Sequence, residues 1–247
     1  MDPICFFIGS RPIYWYGIMV ALGFMAAVAH LTILGIREGR SPAFGSDLAF
    51  WLMLAGIIGA RIAYVGANFN YYLQDPWAII RVDQGGLIYY GGFIGAFIAG
   101  IIFARCKQLN ILALADYAIP ALPLGHAFGR IGCLLNGCCY GKISTLPGSV
   151  WQHEASRHPV QLYEAVFNLV IYALLILAYR RRKRNGEVLA IYCMIYPLGR
   201  FLLEFLRGDE RLGWHGFAYA QIISLGFMAA GLTIWLAVSR RIRISKS

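Results

Sequence analysis

The sequence predicts an all-α polytopic membrane protein of about seven transmembrane helices, with the N-terminus outside and the C-terminus in the cytoplasm. Three observations carry that reading. Hydrophobic residues make up 59% of the 247 residues and charged residues only 14%, against about 25% charged in an ordinary soluble domain. Seven apolar runs approach the roughly 20 residues that a bilayer span requires. The basic residues divide unevenly between the two ends of those runs.

The runs are Ile13–Leu34, Asp47–Gly66, Leu87–Ala104, Ile111–Leu135, Val160–Tyr179, Glu187–Leu206 and Phe217–Val238. The fourth and sixth carry charges and are the least apolar. Met1–Arg11 lacks the basic start and the small-residue cleavage site of a signal peptide. Residues 1–247 are read as a single transmembrane domain. Its longer outer-side segments lie at about 67–86 and 136–159. The first holds Phe69, Tyr71, Tyr72 and Trp77, an aromatic set suited to a membrane interface. The second is polar, with Gly, Pro and Ser, and reads as a loop.

Orientation follows from charge. Of the 22 Lys and Arg, thirteen fall on one side of this arrangement: Arg37, Arg40, Arg105, Lys107, Arg180–Arg184, Arg240, Arg241, Arg243 and Lys246. Arg11, Arg81, Lys142, Arg157, Arg207 and Arg211 fall on the other, and Arg61, Arg130 and Arg200 lie within spans. The basic side is cytoplasmic by the positive-inside rule. The net charge of +10 therefore reports topology and contact with anionic membrane lipid, and no nucleic-acid partner is expected.

Glycines crowd two places: Gly85, Gly86, Gly91, Gly92, Gly95 and Gly100, then Gly125, Gly129 and Gly132. Close helix packing through small residues explains most of them. The run from Gly85 to Gly92 is denser than packing requires and suggests a bent entry into the third span, tolerated where protein covers the backbone.

With orientation fixed, the polar residues inside spans acquire a depth. Arg61, Arg130, Asn136, Tyr196, Arg200 and Glu204 lie at the outer ends of spans that run outward. Tyr14, Tyr16, Tyr89, Tyr90, Gln161, Tyr163 and Glu164 lie at the outer starts of spans that run inward. An ionised side chain at mid-bilayer costs about 2.5–3.5 kcal/mol on the most lenient scale, so three arginines there imply pairing or a wet cavity. Tyr196, Arg200 and Glu204 share one helical face at a spacing of four, so Glu204 is a partner for Arg200. Glu164 is a partner for Arg130 or Arg61, and the sequence does not choose. Structural ion pairs with snorkelling arginines are the bland reading. An anion site is the sharper one, because a guanidinium matches phosphate as a planar fork, and a phosphate at that depth is a phospholipid head group.

The segment His126–Gly141, H-A-F-G-R-I-G-C-L-L-N-G-C-C-Y-G, resembles the signature segment of the bacterial prolipoprotein diacylglyceryl transferase family. Tyr14–Gly17, Gly59–Tyr64, Gly85–Gly92, Arg157–Glu164 and Tyr196–Arg207 resemble further family motifs in the same order. Each is weak alone, but six in order across seven spans are highly specific. The resemblance implies a bacterial plasma (inner) membrane enzyme with its active site toward the outer leaflet. It implies transfer of the diacylglyceryl group of phosphatidylglycerol to the lipobox cysteine thiol of a prolipoprotein signal peptide, the first step of lipoprotein maturation, with glycerol-1-phosphate as the other product. It implies Arg130 and Arg200 as holders of the lipid phosphate, with Asn136, Gly141, Tyr16, Tyr196 and Glu204 as further family positions. The chain departs from the common pattern at Tyr90, where many members have His, at Cys133, where many have Asn, and at Cys138, where many have Glu.

Arg130, Arg200, Glu204, Tyr90 and Glu164 are thus the candidate catalytic residues. Arg130, Asn136, Tyr16, Arg61, Tyr196, Gly141, His158 and Gln161 are the candidates for substrate binding. The proton acceptor stays open among Glu164, Tyr90, His158 and the phosphate itself, while His126 reads as a packed polar residue. No cofactor and no metal are expected, since C-x4-C-C lacks two spaced ligand pairs and His153 is the only nearby His without a motif role. A Cys133–Cys138 or Cys133–Cys139 disulfide and reduced core-filling thiols are both open readings. A transporter or binding protein for an anionic or phospholipid ligand is the alternative function. It would favour internal repeats and a polar path to both faces. A protease is disfavoured because no G-x-S-x-G motif exists. Asp47, Asp116 and His30 have no evident partner.

Overall fold

A computed structural model describes residues 3–81, 85–209, 213–214 and 216–240. Arg211, Arg241, Arg243 and Lys246, counted above for topology, lie outside the described residues, as do positions 82–84 of the first outer segment.

The described residues are mainly helical, with three two-stranded hairpins among them. The helices are α1 (Trp15–Arg37), α2 (Ala43–Ala67), α3 (Phe69–Gln74), α4 (Tyr89–Cys106), α5 (Ile111–Ala118), α6 (Ala121–Leu135), α7 (Val160–Arg181), α8 (Glu187–Glu204) and α9 (Tyr219–Arg240). Among the described residues six stretches are long and apolar enough to cross a membrane: α1, α2, α4, α5 with α6, α7 and α9. The sixth predicted run is α8, whose 18 residues reach about 27 Å but carry Glu187, Arg200 and Glu204. Basic residues close the last turns of α1, α4, α7 and α9 at Arg37, Arg105, Arg180, Arg181 and Arg240, where they also complement the helix dipole.

The chain divides into two compact units, Met1–His30 with Asp116–Ser247, and Leu31–Ala115. In the smaller unit α2 packs on α4 through glycine. A Cβ on Gly59 would stand 2.4 Å from the Gly91 carbonyl, and one on Gly95 would stand 2.3 Å from the Ala55 carbonyl. No side chain fits such a crossing, which is the small-residue packing expected of membrane helices. Gly85 and Gly86 instead have φ of +83° and +78°, so this end of the run is the bent entry to α4. The aromatic segment at 67–86 has structure of its own. It holds α3 and a short 3-10 helix, Pro76–Ile80.

In the larger unit the chain begins as a hairpin, β1 (Ile4–Ile8) with β2 (Arg11–Tyr14), which hydrophobic periodicity did not signal. The fourth predicted span is broken into α5 and α6 before Pro120, a proline that cannot donate to the helix. Beyond the break, Gly23 of α1 faces α6 closely, since its Cβ would lie 2.9 Å from the Gly125 carbonyl. Asp116, fully buried, has a clear role. Its carboxylate accepts the Gly186 amide at 2.7 Å and the Leu189 amide at 2.9 Å. It therefore caps the start of α8 from another helix, on amides that have no partner within α8. His30 also has a partner, lying 3.1 Å from the Tyr172 hydroxyl through Nδ1.

The predicted loop 136–159 carries a second hairpin, β3 (Val150–Gln152) with β4 (Ala155–Arg157). Its turn residues His153 and Glu154 both have positive φ, as a two-residue hairpin turn of matching twist requires. Alongside, Gly141 bridges to Arg207 and Ile143 to Arg157. The Lys142 amide bonds the Leu206 carbonyl at 2.8 Å, and the Gly208 amide bonds the Tyr140 carbonyl at 3.0 Å. The last hairpin, β5 (Gly213–Trp214) with β6 (Phe217–Ala218), precedes α9.

Candidate functional site

The larger unit gathers three arginines and three carboxylates. Glu164, in the first turns of α7, is 3% exposed. Its carboxylate pairs with Nε of Arg130 on α6. It also lies 3.4 Å from Arg200 on α8 and 3.6 Å from Arg207, just past the end of α8. Arg200 pairs in turn with Glu204 at 2.6 Å, one helical turn on. Arg207 holds Asp209 through two parallel bonds of 2.8 and 2.9 Å, the strong fork geometry of a guanidinium on a carboxylate.

The sequence left Glu164 between Arg130 and Arg61; the structure pairs it with Arg130. It also adds Arg207, which the charge count had assigned to an outer loop. Arg207 is buried, with a side chain 1% exposed. The sequence-level signal for it was the short step from Arg200 and Glu204. What hides it is the bridge from Gly141, which folds the chain after α8 back against residues 140–143. Gly208 is required for that approach, because a Cβ there would stand 2.4 Å from the Gly141 carbonyl.

The other predicted residues of this unit surround the cluster in sequence and fold. Tyr196 stacks between two rings on one side of α8 and α6: Tyr192 at 5.2 Å and His126 at 5.5 Å between centroids. His126 is thus packed, as expected. Gln161 is buried and donates to the Cys138 carbonyl at 2.8 Å and to the Gln152 side chain at 3.2 Å, so it ties the loop to α7. The Nδ1 atom of His158 is buried and has no hydrogen-bond partner among the described residues. Asn136, at the end of α6, and Tyr16, at the start of α1, line an open apolar groove of about 550 Å³ together with Tyr14, Gly17 and Ala21.

Arg61 and Tyr90 belong to the smaller unit. Arg61 is 7% exposed, and its guanidinium is filled by backbone. It donates to the carbonyls of Ile79 at 2.8 Å, Gly85 at 2.7 Å, Gly86 at 3.0 Å, Arg81 at 3.1 Å and Ala78. That fully satisfied fork holds the segment before α4 and the bent entry of α4 in place. Tyr90 is exposed, in the first turn of α4, with its ring 5.8 Å from that of Tyr89.

All six cysteines are free thiols, the reduced one of the two open readings. Cys133, Cys138 and Cys139 converge, with their Sγ atoms within 4.8 Å of one another. Cys139, in the loop beyond α6, has its thiol pulled down to about 4. The main cause is a hydrogen bond from the Cys133 thiol, and the Arg207 guanidinium adds a second hydrogen bond and its charge. The nearby His153 is engaged elsewhere, through Nε2 at 2.8 Å from the Gly137 carbonyl.

Comparison with known proteins agrees with the motif order. The family model of prolipoprotein diacylglyceryl transferase matches residues 3–237. The phosphatidylglycerol–prolipoprotein diacylglyceryl transferase of Geobacter sulfurreducens is 36% identical over 251 residues, covering 98% of this chain and 96% of that protein. Proteins of the same name from Clostridioides difficile and Nostoc are 34% and 35% identical, covering 98% and 97% of this chain and 97% and 90% of their own lengths.

Proposed function

The chain belongs to the prolipoprotein diacylglyceryl transferase family, and on that premise we propose that its buried arginine cluster clamps the phosphate of phosphatidylglycerol. The protein is a transferase that moves the diacylglyceryl group of phosphatidylglycerol to prolipoprotein. The acceptor atom in this reading is the lipobox cysteine thiol.

One observation carries the clamp. Arg130 is anchored through Nε by Glu164, which leaves both of its Nη groups for a ligand. A guanidinium fixed on one edge presents the other as a rigid two-donor face for phosphate. Arg200, held by Glu164 and Glu204, adds a second cation already oriented before substrate arrives.

The chemistry needs such groups. The acceptor thiolate attacks a glycerol carbon, a carbon–sulfur bond forms, and the bond from that carbon to the phosphate oxygen breaks. The electron pair leaves on glycerol-1-phosphate, so negative charge grows on the phosphate in the transition state. Fixed cations in a poorly hydrated site stabilise that growth more than they stabilise the bound lipid. The thiol proton goes to a nearby acceptor. His158, whose Nδ1 has no hydrogen-bond partner among the described residues, is a candidate for it, whereas Glu164 is occupied by three ion pairs. The groove between Tyr16 and Asn136 suits the apolar part of a substrate.

Orientation belongs to the same proposal. Basic residues at the ends of α1, α4, α7 and α9 support placing those ends in the cytoplasm, with the arginine cluster toward the outer leaflet of the bacterial inner membrane.

The test uses purified protein, a lipobox peptide and phosphatidylglycerol labelled in its acyl chains. Label should pass to the peptide, and Arg130→Ala and Arg200→Ala should abolish the transfer while the protein stays in the membrane. Full activity in both variants would show that the phosphate is held elsewhere.

A further inference from the structure

The transfer chemistry leaves three converging thiols unused. Cys133 lies in the last turn of α6, and Cys138 and Cys139 lie on the loop that follows. Their sulfurs all lie within 4.8 Å of one another. Among the described residues this is the one group of three His, Cys, Asp or Glu side chains whose donor atoms meet in this way. The backbone is shaped to bring them together. The Cys138 amide closes back on the Cys133 carbonyl at 3.1 Å, and Cys139 takes a φ of +62°, a left-handed conformation that few non-glycine residues adopt.

Core filling would ask for none of this. A thiol used only as a small hydrophobe needs no cation, yet the positive charges of Arg207 and Arg130 act on the Cys139 sulfur. A disulfide would use two sulfurs and leave the third without purpose. Three sulfurs at one point are the donor set of a thiophilic ion.

We propose that Cys133, Cys138 and Cys139 form a three-thiolate binding site for a soft metal ion of the zinc or monovalent-copper type. Thiolate donors select these ions over hard ones such as magnesium. A tetrahedral zinc ion with sulfur bonds of about 2.3 Å needs its sulfurs about 3.8 Å apart, a closure that side-chain rotation on a short loop supplies. Three sulfurs leave one position of a zinc ion open and complete a trigonal set for monovalent copper. The spacing C-x4-C-C conceals the site, because the paired spacing of zinc motifs is absent and the third donor arrives through the turn at Cys139.

The full chain, purified in detergent under reducing conditions and stripped with a chelator, is titrated separately with Zn²⁺, Cu⁺ and Mg²⁺. Elemental analysis after gel filtration should find one Zn²⁺ or Cu⁺ per chain and no retained Mg²⁺. Bound ion should protect Cys133, Cys138 and Cys139 from iodoacetamide while exposed Cys106 goes on reacting. This footprint is read on the unaltered chain and does not depend on a variant folding. Cys138→Ser and Cys139→Ser should each weaken binding by about tenfold or more, and Cys106→Ser should not. Failure to retain either soft ion, equal retention in the serine variants, or a Cys133–Cys139 or Cys133–Cys138 disulfide in the reduced preparation would overturn the proposal.

Discussion

Glu164 on α7 and Arg130 on α6 form an ion pair whose carboxylate is almost wholly buried. The two residues lie a full loop and hairpin apart in sequence. The same carboxylate faces Arg200 and Arg207, so one anion organises three cations from separate parts of the chain. With Glu204 and Asp209 the cluster is charge-neutral, which is what lets it exist in an apolar protein. Burying three guanidinium groups without those partners would carry a desolvation penalty that no surrounding contact offsets.

Glu164→Gln should therefore act first on stability. Removing one partner of a buried ion network typically costs about 3–5 kcal/mol. Thermal unfolding of the detergent-solubilised variant should show a clearly lowered midpoint, and the longer reach of Glu makes Glu164→Asp a partial loss. An unchanged midpoint in Glu164→Gln would mean that the arginines are held by something else.

Arg61→Lys tests a different role for an arginine. The lysine ammonium keeps the charge but has three donors and no planar fork, and five carbonyl contacts cannot all be kept. Protease sensitivity around residues 78–86 should rise sharply while the charge at this position is unchanged. A variant cleaved no faster than the native chain would show that charge alone suffices there.

Gly141→Ala places a methyl group 2.4 Å from the His158 carbonyl. Overpacking of this kind costs about 1–3 kcal/mol, and here the strain falls on the packing of residue 141 against His158 and Val160, beside the bridge to Arg207. The expected outcome is a drop in transfer larger than the drop in folded protein, measured by activity per gel-filtered molecule.

Cys139 gives a pH signature. Its thiol is held down to about 4, below the ordinary thiol value of about 8.5. A lowered value means the thiolate is favoured in the folded state. Its stabilising share is complete above the ordinary value and is lost as pH falls through about 4. At a pH of about 6 an ordinary thiol is only about one part in three hundred thiolate, so Cys139 of the metal-free chain should show a pH-independent alkylation rate from about 5 to 8. Cys133→Ala removes the main cause and should restore a rate that climbs with pH.

The sequence by itself determined the helical membrane class, most of the apolar runs and the family. Apolar runs of bilayer length can do little else than cross a bilayer as helices, because every backbone group must be satisfied within the segment. The motif order singles out Arg130, Arg200, Glu164 and Glu204, which the structure brings into one ion-pair cluster. Partners were decided only by tertiary structure. Nothing local to Asp116 indicates that it caps α8 through the Gly186 and Leu189 amides, 70 and 73 residues away. Arg207 looked like a loop cation until the Gly141 bridge buried it, and Arg61 looked like a ligand for an anion until five carbonyls filled its fork. The three cysteines converge only because a left-handed residue turns the chain after α6. In each case the deciding quantity is which long-range group reaches a buried polar atom, and sequence spacing encodes that only within a single helix.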